Sequence, residues 1–381
     1  MTFTFTVRNL MDNNDIILGG DEQRTLETFG FDRTSFQELA ADLAAGKFPA
    51  ERNRIQGRVE KPQAGDIVKW PGEGTAEARE AERIGRAAIA GGEVAVAILN
   101  GGMATRFGGM VKCLVKVVEE HTFLDLKLKN IVDLDAPVPV FLMNSFATDG
   151  DTRAHLNARD YCGVASERLH VVAQHVSLRL TPDGKLYRDA NGRLSLFAPG
   201  HGDIFDVLAN ASAFRRFIAG GGKYVLVSNV DNLAATLTPK VVGLHILGKK
   251  PLTVEVAPKE PGDQGGAPAR VDGKLQIVEG FRFPASFNQD DIPVFNCNTF
   301  IINATHVRAD YPLTWFRADK KVDGASVVQF ERLMGEATAF ADAQYVEVPR
   351  AGHEGRFLPV KTPDDLTSVR DLVRDRLFRK E

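Results

Sequence analysis

Val94-Ala-Val-Ala-Ile-Leu-Asn-Gly-Gly-Met-Ala-Thr-Arg-Phe-Gly-Gly-Met-Val-Lys112 is an apolar run that passes into a glycine-rich turn, carries an Arg and closes on a Lys. The apolar half reads as a buried strand. In the turn, glycines let backbone N–H groups approach an anion closely while the fixed cations answer its remaining charge. Thr105, Arg106 and Lys112 together favour a polyphosphate over a bare tight turn. Neither G-x-G-x-x-G nor G-x-x-x-x-G-K-[ST] matches, so the loop is neither a dinucleotide fingerprint nor a P-loop.

The rest of the chain fits a nucleotide-binding α/β protein. It has 381 residues, 44% of them hydrophobic and 25% charged, which is ordinary for a globular protein able to bury a large core. A net charge of −3 without basic runs argues against nucleic acid as a partner. Cys113, Cys162 and Cys297 show no C-x-x-C spacing, so neither a disulfide framework nor a thiolate metal site is suggested. No leader or membrane-spanning run is evident, and a cytoplasmic, membrane-free protein is expected.

From residue 94 the pattern alternates strands and helices, the signature of a mainly parallel sheet covered on both faces. Strands are predicted at Val94–Leu99, Val138–Met143, Leu169–Ala173, Tyr224–Val227, Thr253–Val256 and Thr299–Ile302. Helices are predicted at Thr122–Val132, Thr148–Asp160, Asp203–Ala219, Lys240–Leu247 and Asp364–Phe378. Asn191-Gly192 marks a hairpin, and Gly262–Gly273 reads as a mobile loop over one end of the sheet. Residues 1–90 form an N-terminal helical region, with Ser35 capping a helix to Gly46 and a second helix over Ala76–Ala90. Residues 91–381 read as the main α/β domain, closed by the C-terminal helix.

Ligands of doubly wound sheets sit at the carboxyl ends of strands. After the strand at Tyr224, Ser228-Asn-Val-Asp-Asn232 places Asp231 between two carboxamides, a hard-oxygen setting that suits Mg²⁺; capping of a following helix is the competing reading. Pro199-Gly-His-Gly-Asp203 opens a helix with glycines around His201, so that N–H groups and imidazole can face an anion. Asp203 reads equally well as a plain helix cap. Lys361 by itself is an ordinary solvated lysine.

Several motifs then stand in a familiar order. Leu99-Asn-Gly-Gly102, Thr122-Phe-Leu-Asp-Leu126, Leu142-Met-Asn-Ser-Phe146, Pro199-Gly-His-Gly-Asp203, Val227-Ser-Asn-Val-Asp-Asn-Leu233 and Phe357-Leu-Pro-Val-Lys-Thr362 resemble those of the eukaryotic-type UTP–glucose-1-phosphate uridylyltransferases. The likeness is collinear over residues 94–378. It implies a Rossmann-like nucleotidyltransferase fold, with UTP and a sugar 1-phosphate as partners and Mg²⁺ as cofactor. Leu99, Asn100, Gly101 and Gly102 would lie under uracil and ribose, with Gln174 reading the base. Gly200 and His201 would touch nucleotide and sugar phosphate, and Asn229 and Asp231 the nucleotide and metal. Asn296, Asn298 and Glu279 would face the sugar, while Lys112 and Lys361 would hold phosphates. Ala104 replaces a glycine usual in the loop, Lys112 lacks its usual preceding proline, and Arg106 resembles the Thr-Arg of the wider superfamily. The sequence stops at Glu381, where the eukaryotic enzymes continue into a β-helical domain, so the expectation is a protein lacking that domain, of open oligomeric state.

The expected reaction joins UTP and glucose 1-phosphate into UDP-glucose and pyrophosphate. N-acetylglucosamine or galactose 1-phosphate, a glycosyltransferase, and a catalytically inactive UDP-sugar-binding protein remain alternatives.

Overall fold

The computed structural model describes residues 6–7, 16–17, 20–104, 107–261, 263, 265–360 and 362–378. Its centre is an eight-stranded sheet built from β1 (Ile67–Lys69), β2 (Val94–Asn100), β3 (Val140–Asn144), β4 (Leu169–Ala173), β5 (Tyr224–Asn229), β6 (Leu252–Pro258), β7 (Val294–Asn303) and β8 (Ala343–Glu347). The spatial order is β4-β3-β2-β5-β7-β6-β8-β1. All neighbours pair in parallel except β7, which runs against both β5 and β6. The mainly parallel α/β sheet expected from the alternation is therefore present.

Strand β2 shows why the pattern was readable. Every residue from Val94 to Asn100 is buried. Val94, Val96 and Ile98 enter one core with helices α3 (Ala76–Ala90), α4 (Phe123–Asp133) and α8 (Pro239–Gly248). Ala95, Ala97 and Leu99 enter the other, with α6 (Ile204–Asn210) and α7 (Ser212–Ala219). A strand covered on both faces has no polar side to alternate with. Truncating Ile98, 1% exposed, to Ala would cost about 2–5 kcal/mol.

Residues before 91 are not purely helical. Helices α1 (Gly20–Thr28) and α2 (Arg33–Ala44) pack with Val176, Leu178, Val328 and Phe330 in a separate small core. Residues 67–69, however, form the outermost strand of the main sheet, and α3 is tightly docked on α8. A Cβ on Gly85 would lie 1.8 Å from the Pro239 carbonyl oxygen, and one on Gly243 would lie 1.8 Å from that of Ala81. Only glycine permits this approach.

Four local expectations need correction. Asp32, not Ser35, caps α2: its carboxylate accepts the Ser35 N–H at 3.0 Å. The helix predicted over Asp203–Ala219 is two helices, because Ala211 is extended at ψ 121° and the Asn210 amide takes the Asp206 carbonyl at 3.0 Å. Asp203 makes no capping bond. Within Gly262–Gly273, residues Ala267–Val271 form a strand paired with Lys274–Val278, turned by Asp272-Gly273 with φ of 50° and 85°. That dipeptide is a hairpin signal that the glycine content obscured. The hairpin at Asn191-Gly192 is present, with Arg188 bridging Leu194. Helix α5 (Asp149–Ala158) and α9 (Pro363–Phe378) occupy their expected places. Among the described residues no helix is long and apolar enough to cross a membrane.

Candidate functional site at the strand ends

The parallel register puts Asn100 beside Asn144 and Asn229 beside Leu99, so the ends of β2, β3 and β5 form one polar row. Asn100, fully buried, donates to Asn144 Oδ1 at 2.7 Å and to Thr152 Oγ1 at 3.1 Å. Asn144 donates in turn to Asp149 at the start of α5, at 3.0 Å. Ser145 Oγ and Thr148 Oγ1 bind the carbonyls of Gly101 and Asn100 at 2.9 and 2.8 Å. The Leu99–Gly102 backbone is thus fixed from below.

Gln174 follows β4 and leans over this turn. Its Nε2 donates to the Gly200 carbonyl at 2.7 Å, and its Oε1 lies 2.3 Å from where a Gly101 Cβ would sit. Gln174 therefore joins the two glycine segments that the sequence singled out separately.

The glycines around His201 serve packing. Gly200, at φ 100°, would drive a Cβ to 2.3 Å from the Arg332 carbonyl oxygen. The Gly202 N–H is spent on that same oxygen at 2.9 Å, so it is not an anion donor as expected. Asp203 pairs with Arg332 at 2.6 Å, and burial raises its carboxyl pKa. His201 Nδ1 accepts the Met334 N–H at 3.1 Å. Burial holds its imidazole down to about 4, so near neutrality it is an uncharged ring with its proton on Nε2. His201 can offer one N–H; it is not a cation.

The glycine loop is a short hairpin, with Met103-Ala104 paired to Met110-Val111, and the Lys112 N–H returns to the Gly102 carbonyl at 3.3 Å. The Lys112 ammonium forms an ion pair with Asp231, their side chains 22% and 14% exposed. Arg106 lies outside the described residues. Asp231 caps no helix, since a turn-rich stretch separates it from α8. Asn232 turns away: it donates to the Arg356 carbonyl at 3.2 Å and accepts the Leu358 N–H at 2.9 Å. The Val360 N–H reaches the Asp231 carbonyl at 3.3 Å. Residues 356–360 are therefore clamped against the Asp231-Asn232 turn. Lys361 itself lies outside the described residues.

On the far side, a register shift in β7 and φ of 54° at Asn298 swing that side chain to Asn229 Oδ1, 3.0 Å away. The Asn296 N–H binds the Gly266 carbonyl at 2.8 Å, and a Cβ on Gly266 would meet Glu279 at 3.1 Å. Glu279 lines a cavity of about 690 Å³ with Gly265, Lys259, Gln289 and Phe295. Burial pushes its carboxyl up to about 7.

Sequence reasoning missed the supports beneath Asp231. Lys127 is buried and donates to Ser228 Oγ at 3.0 Å and to the Ala235 carbonyl at 2.8 Å, on the two sides of Asp231. Arg356 pairs with Glu255 at 2.6 Å, both almost fully buried. Lys127 sits in a helix dense with leucine, where lysine reads as surface; only tertiary packing reveals it.

A mainly parallel sheet with polar and charged groups gathered at the carboxyl ends of its strands is the arrangement of a nucleotide-binding α/β protein. A family model described as UTP–glucose-1-phosphate uridylyltransferase matches residues 47–375, and the chain belongs to that family. It is 33% identical over 291 residues to the UTP–glucose-1-phosphate uridylyltransferase of Solanum tuberosum, covering 71% of this chain and 60% of the relative. For that of Encephalitozoon cuniculi the identity is 30%, covering 75% and 59%. The chain thus spans about 60% of the length of these curated relatives. Among solved structures, UDP-glucose phosphorylase from Trypanosoma brucei superposes with TM-score 0.72 at 25% identity, covering 91% of this chain and 77% of that one. UDP-N-acetylglucosamine pyrophosphorylase from the same organism gives 0.76 at 19%, covering 92% and 79%, a likeness of fold.

Proposed function

We propose that the chain transfers the uridylyl group of UTP to glucose 1-phosphate, giving UDP-glucose and pyrophosphate. A phosphate oxygen of the sugar phosphate forms a bond to the α-phosphorus as the bond to pyrophosphate breaks. The nucleophile is already an anion, so no general base is needed; the protein's task is to align two polyanions and stabilise the charge that develops.

The observation that carries this reading is the placement of the Lys112–Asp231 pair. In strand order it lies between Gln174 and Gly101, which this reading assigns to the base, and Asn298, Asn296 and Glu279, which it assigns to the sugar. Gln174 has Nε2 occupied, which leaves Oε1 to accept from uracil N3–H. Lys112, Arg106 and Lys361 would meet the phosphates, His201 would donate to one, and Glu279 would bind a sugar hydroxyl. Asp231 and the phosphates would hold Mg²⁺, a fit supported by a hard, partly buried carboxylate at the strand end. When bound, the ion would neutralise phosphate charge and polarise the leaving oxygens.

Glucose is the first assignment. N-acetylglucosamine and galactose 1-phosphates are the alternatives, since fold alone does not fix the sugar. Pyrophosphate release from UTP with glucose, galactose and N-acetylglucosamine 1-phosphates decides between them by kcat/KM. Release with none of the three would sink the reading.

A further inference from the structure

Away from the strand ends, three metal-ligating atoms converge. Asp125 Oδ1 lies 2.8 Å from His155 Nε2 and 3.2 Å from Cys162 Sγ, and the three atoms all lie within 4.8 Å of one another. Asp125 is buried and the other two are half-buried. They come from α4, from α5 and from the turn Asp160–Gly163. No local motif announces them, which is why cysteine spacing suggested no metal site.

Two features set this cluster apart from a simple hydrogen-bond knot. The oxygens of Asp125 divide their tasks. Oδ2 accepts the Thr122 N–H at 2.8 Å, closing the capping box of α4, and meets Arg159 at 2.9 Å. Oδ1 faces His155 and Cys162, so a cation there leaves the helix cap intact. The second feature is backbone strain. Asp160, Tyr161 and Cys162 lie consecutively at φ 46°, 52° and 54°, a conformation that residues with a Cβ adopt at a cost and that concentrates at ligand sites. It is what delivers the thiol to Asp125.

We propose that Asp125, His155 and Cys162 bind Zn²⁺, with a solvent molecule in the fourth position. One oxygen, one imidazole nitrogen and one thiolate make a borderline-soft donor set, suited to zinc and unsuited to Mg²⁺. With metal bonds of roughly 2.0–2.3 Å the ligand atoms of a tetrahedral site stand roughly 3.3–3.6 Å apart, a small expansion of the two spacings to Asp125 Oδ1 and within the 4.8 Å that bounds all three atoms. On binding, the Cys162 thiol gives its proton to solvent and His155 ligates as a neutral ring. Arg159, 38% exposed, keeps its charge in water while holding the other oxygen. The ion would staple α4 to α5. Helix α5 carries Thr152 under Asn100, and α4 carries Lys127 under Ser228, so the staple braces the floor of the nucleotide end without touching reactants.

Cobalt provides the probe, using the full chain stripped with chelator. One equivalent of Co²⁺ should give a thiolate-to-cobalt charge-transfer band and the strong visible absorption of a four-coordinate ion. Zn²⁺ should erase both and excess Mg²⁺ should not. Cys162→Ser should lose the charge-transfer band, and His155→Gln should weaken Co²⁺ binding by more than the roughly 10–100-fold that loss of an outer-shell partner costs. Zn²⁺ should raise the thermal midpoint of the parent and of neither variant. A missing band, a band retained in Cys162→Ser, or equal Zn²⁺ shifts in parent and His155→Gln would overturn the proposal. Should Cys162→Ser fail to fold by circular dichroism, the His155→Gln comparison decides alone.

Discussion

Lys112 and Asp231, 119 residues apart in sequence, close an ion pair over the strand ends. The two groups that the proposed function assigns to phosphate and to metal thus neutralise each other in this structure. On that proposal, binding of a metal–nucleotide complex would separate them, the lysine going to a phosphate and the carboxylate to the ion.

That pairing gives Asp231→Asn a signature with two signs. The change is nearly isosteric, so the fold should persist, while loss of the carboxylate should lower kcat by about a hundredfold or more. Freed Lys112 should at the same time bind metal-free UTP more tightly than in the parent. Titration calorimetry in chelator measures that affinity, and weaker UTP binding would contradict the pair's proposed role.

Gln174→Ala should relax base choice. Its amide is held between Gly200 and Gly101, a fixed geometry for one pyrimidine edge. The kcat/KM ratio of UTP over ATP is expected to fall by at least about tenfold, the order of one well-made hydrogen bond to substrate. An unchanged ratio would remove Gln174 from base reading.

The C-terminal clamp makes Lys361 testable through a neighbour. Asn232 holds residues 356 and 358, so Asn232→Ala should loosen the segment that carries Lys361. Lys361→Ala is expected to lower kcat by about a hundredfold with little change in the Kd of UTP, as for a group engaged mainly in the transition state. Asn232→Ala should show a weaker form of the same pattern. Parent-like kinetics in Lys361→Ala would leave the segment as packing for α9.

Lys127 predicts a pH dependence of stability. Burial draws its amine down to about 7, against about 10.4 in an unfolded chain. Between those values the unfolded state binds more protons than the folded one, so stability rises with pH across the window, by up to ~1.4 kcal/mol per pH unit for this group. Below about pH 7 both states are protonated and the slope vanishes. Lys127→Met should lack that contribution, as urea unfolding at pH 7 and pH 9 would measure. Equal slopes in parent and variant would contradict a neutralised lysine.

Legibility followed the range of the physics. The strand at Val94 was readable because burial on both faces leaves a continuous apolar run, and the polar residues just past β2 and β5 were readable because parallel sheets bind ligands there. Asp231 could be nominated from its carboxamide neighbours, yet Asn232 proved to serve the C-terminal segment. The paired glycines at 200 and 202 suggested an anion site, and the backbone of Arg332 explains them instead. Lys127, Arg356 and Glu255 were invisible because their roles exist only after distant segments meet in the interior. Arg106 and Lys361 were nominated in the sequence, and kinetics must place them.

The central claim, uridylyl transfer, is tested most directly by ³¹P NMR of the purified chain with UTP, glucose 1-phosphate and Mg²⁺. The account predicts that the UTP and sugar phosphate signals fall together as UDP-glucose and pyrophosphate rise in equal amounts, and that chelator stops the exchange. UTP left intact beside glucose 1-phosphate, with the protein folded and binding UDP-glucose, would contradict it and define a UDP-sugar-binding protein without turnover.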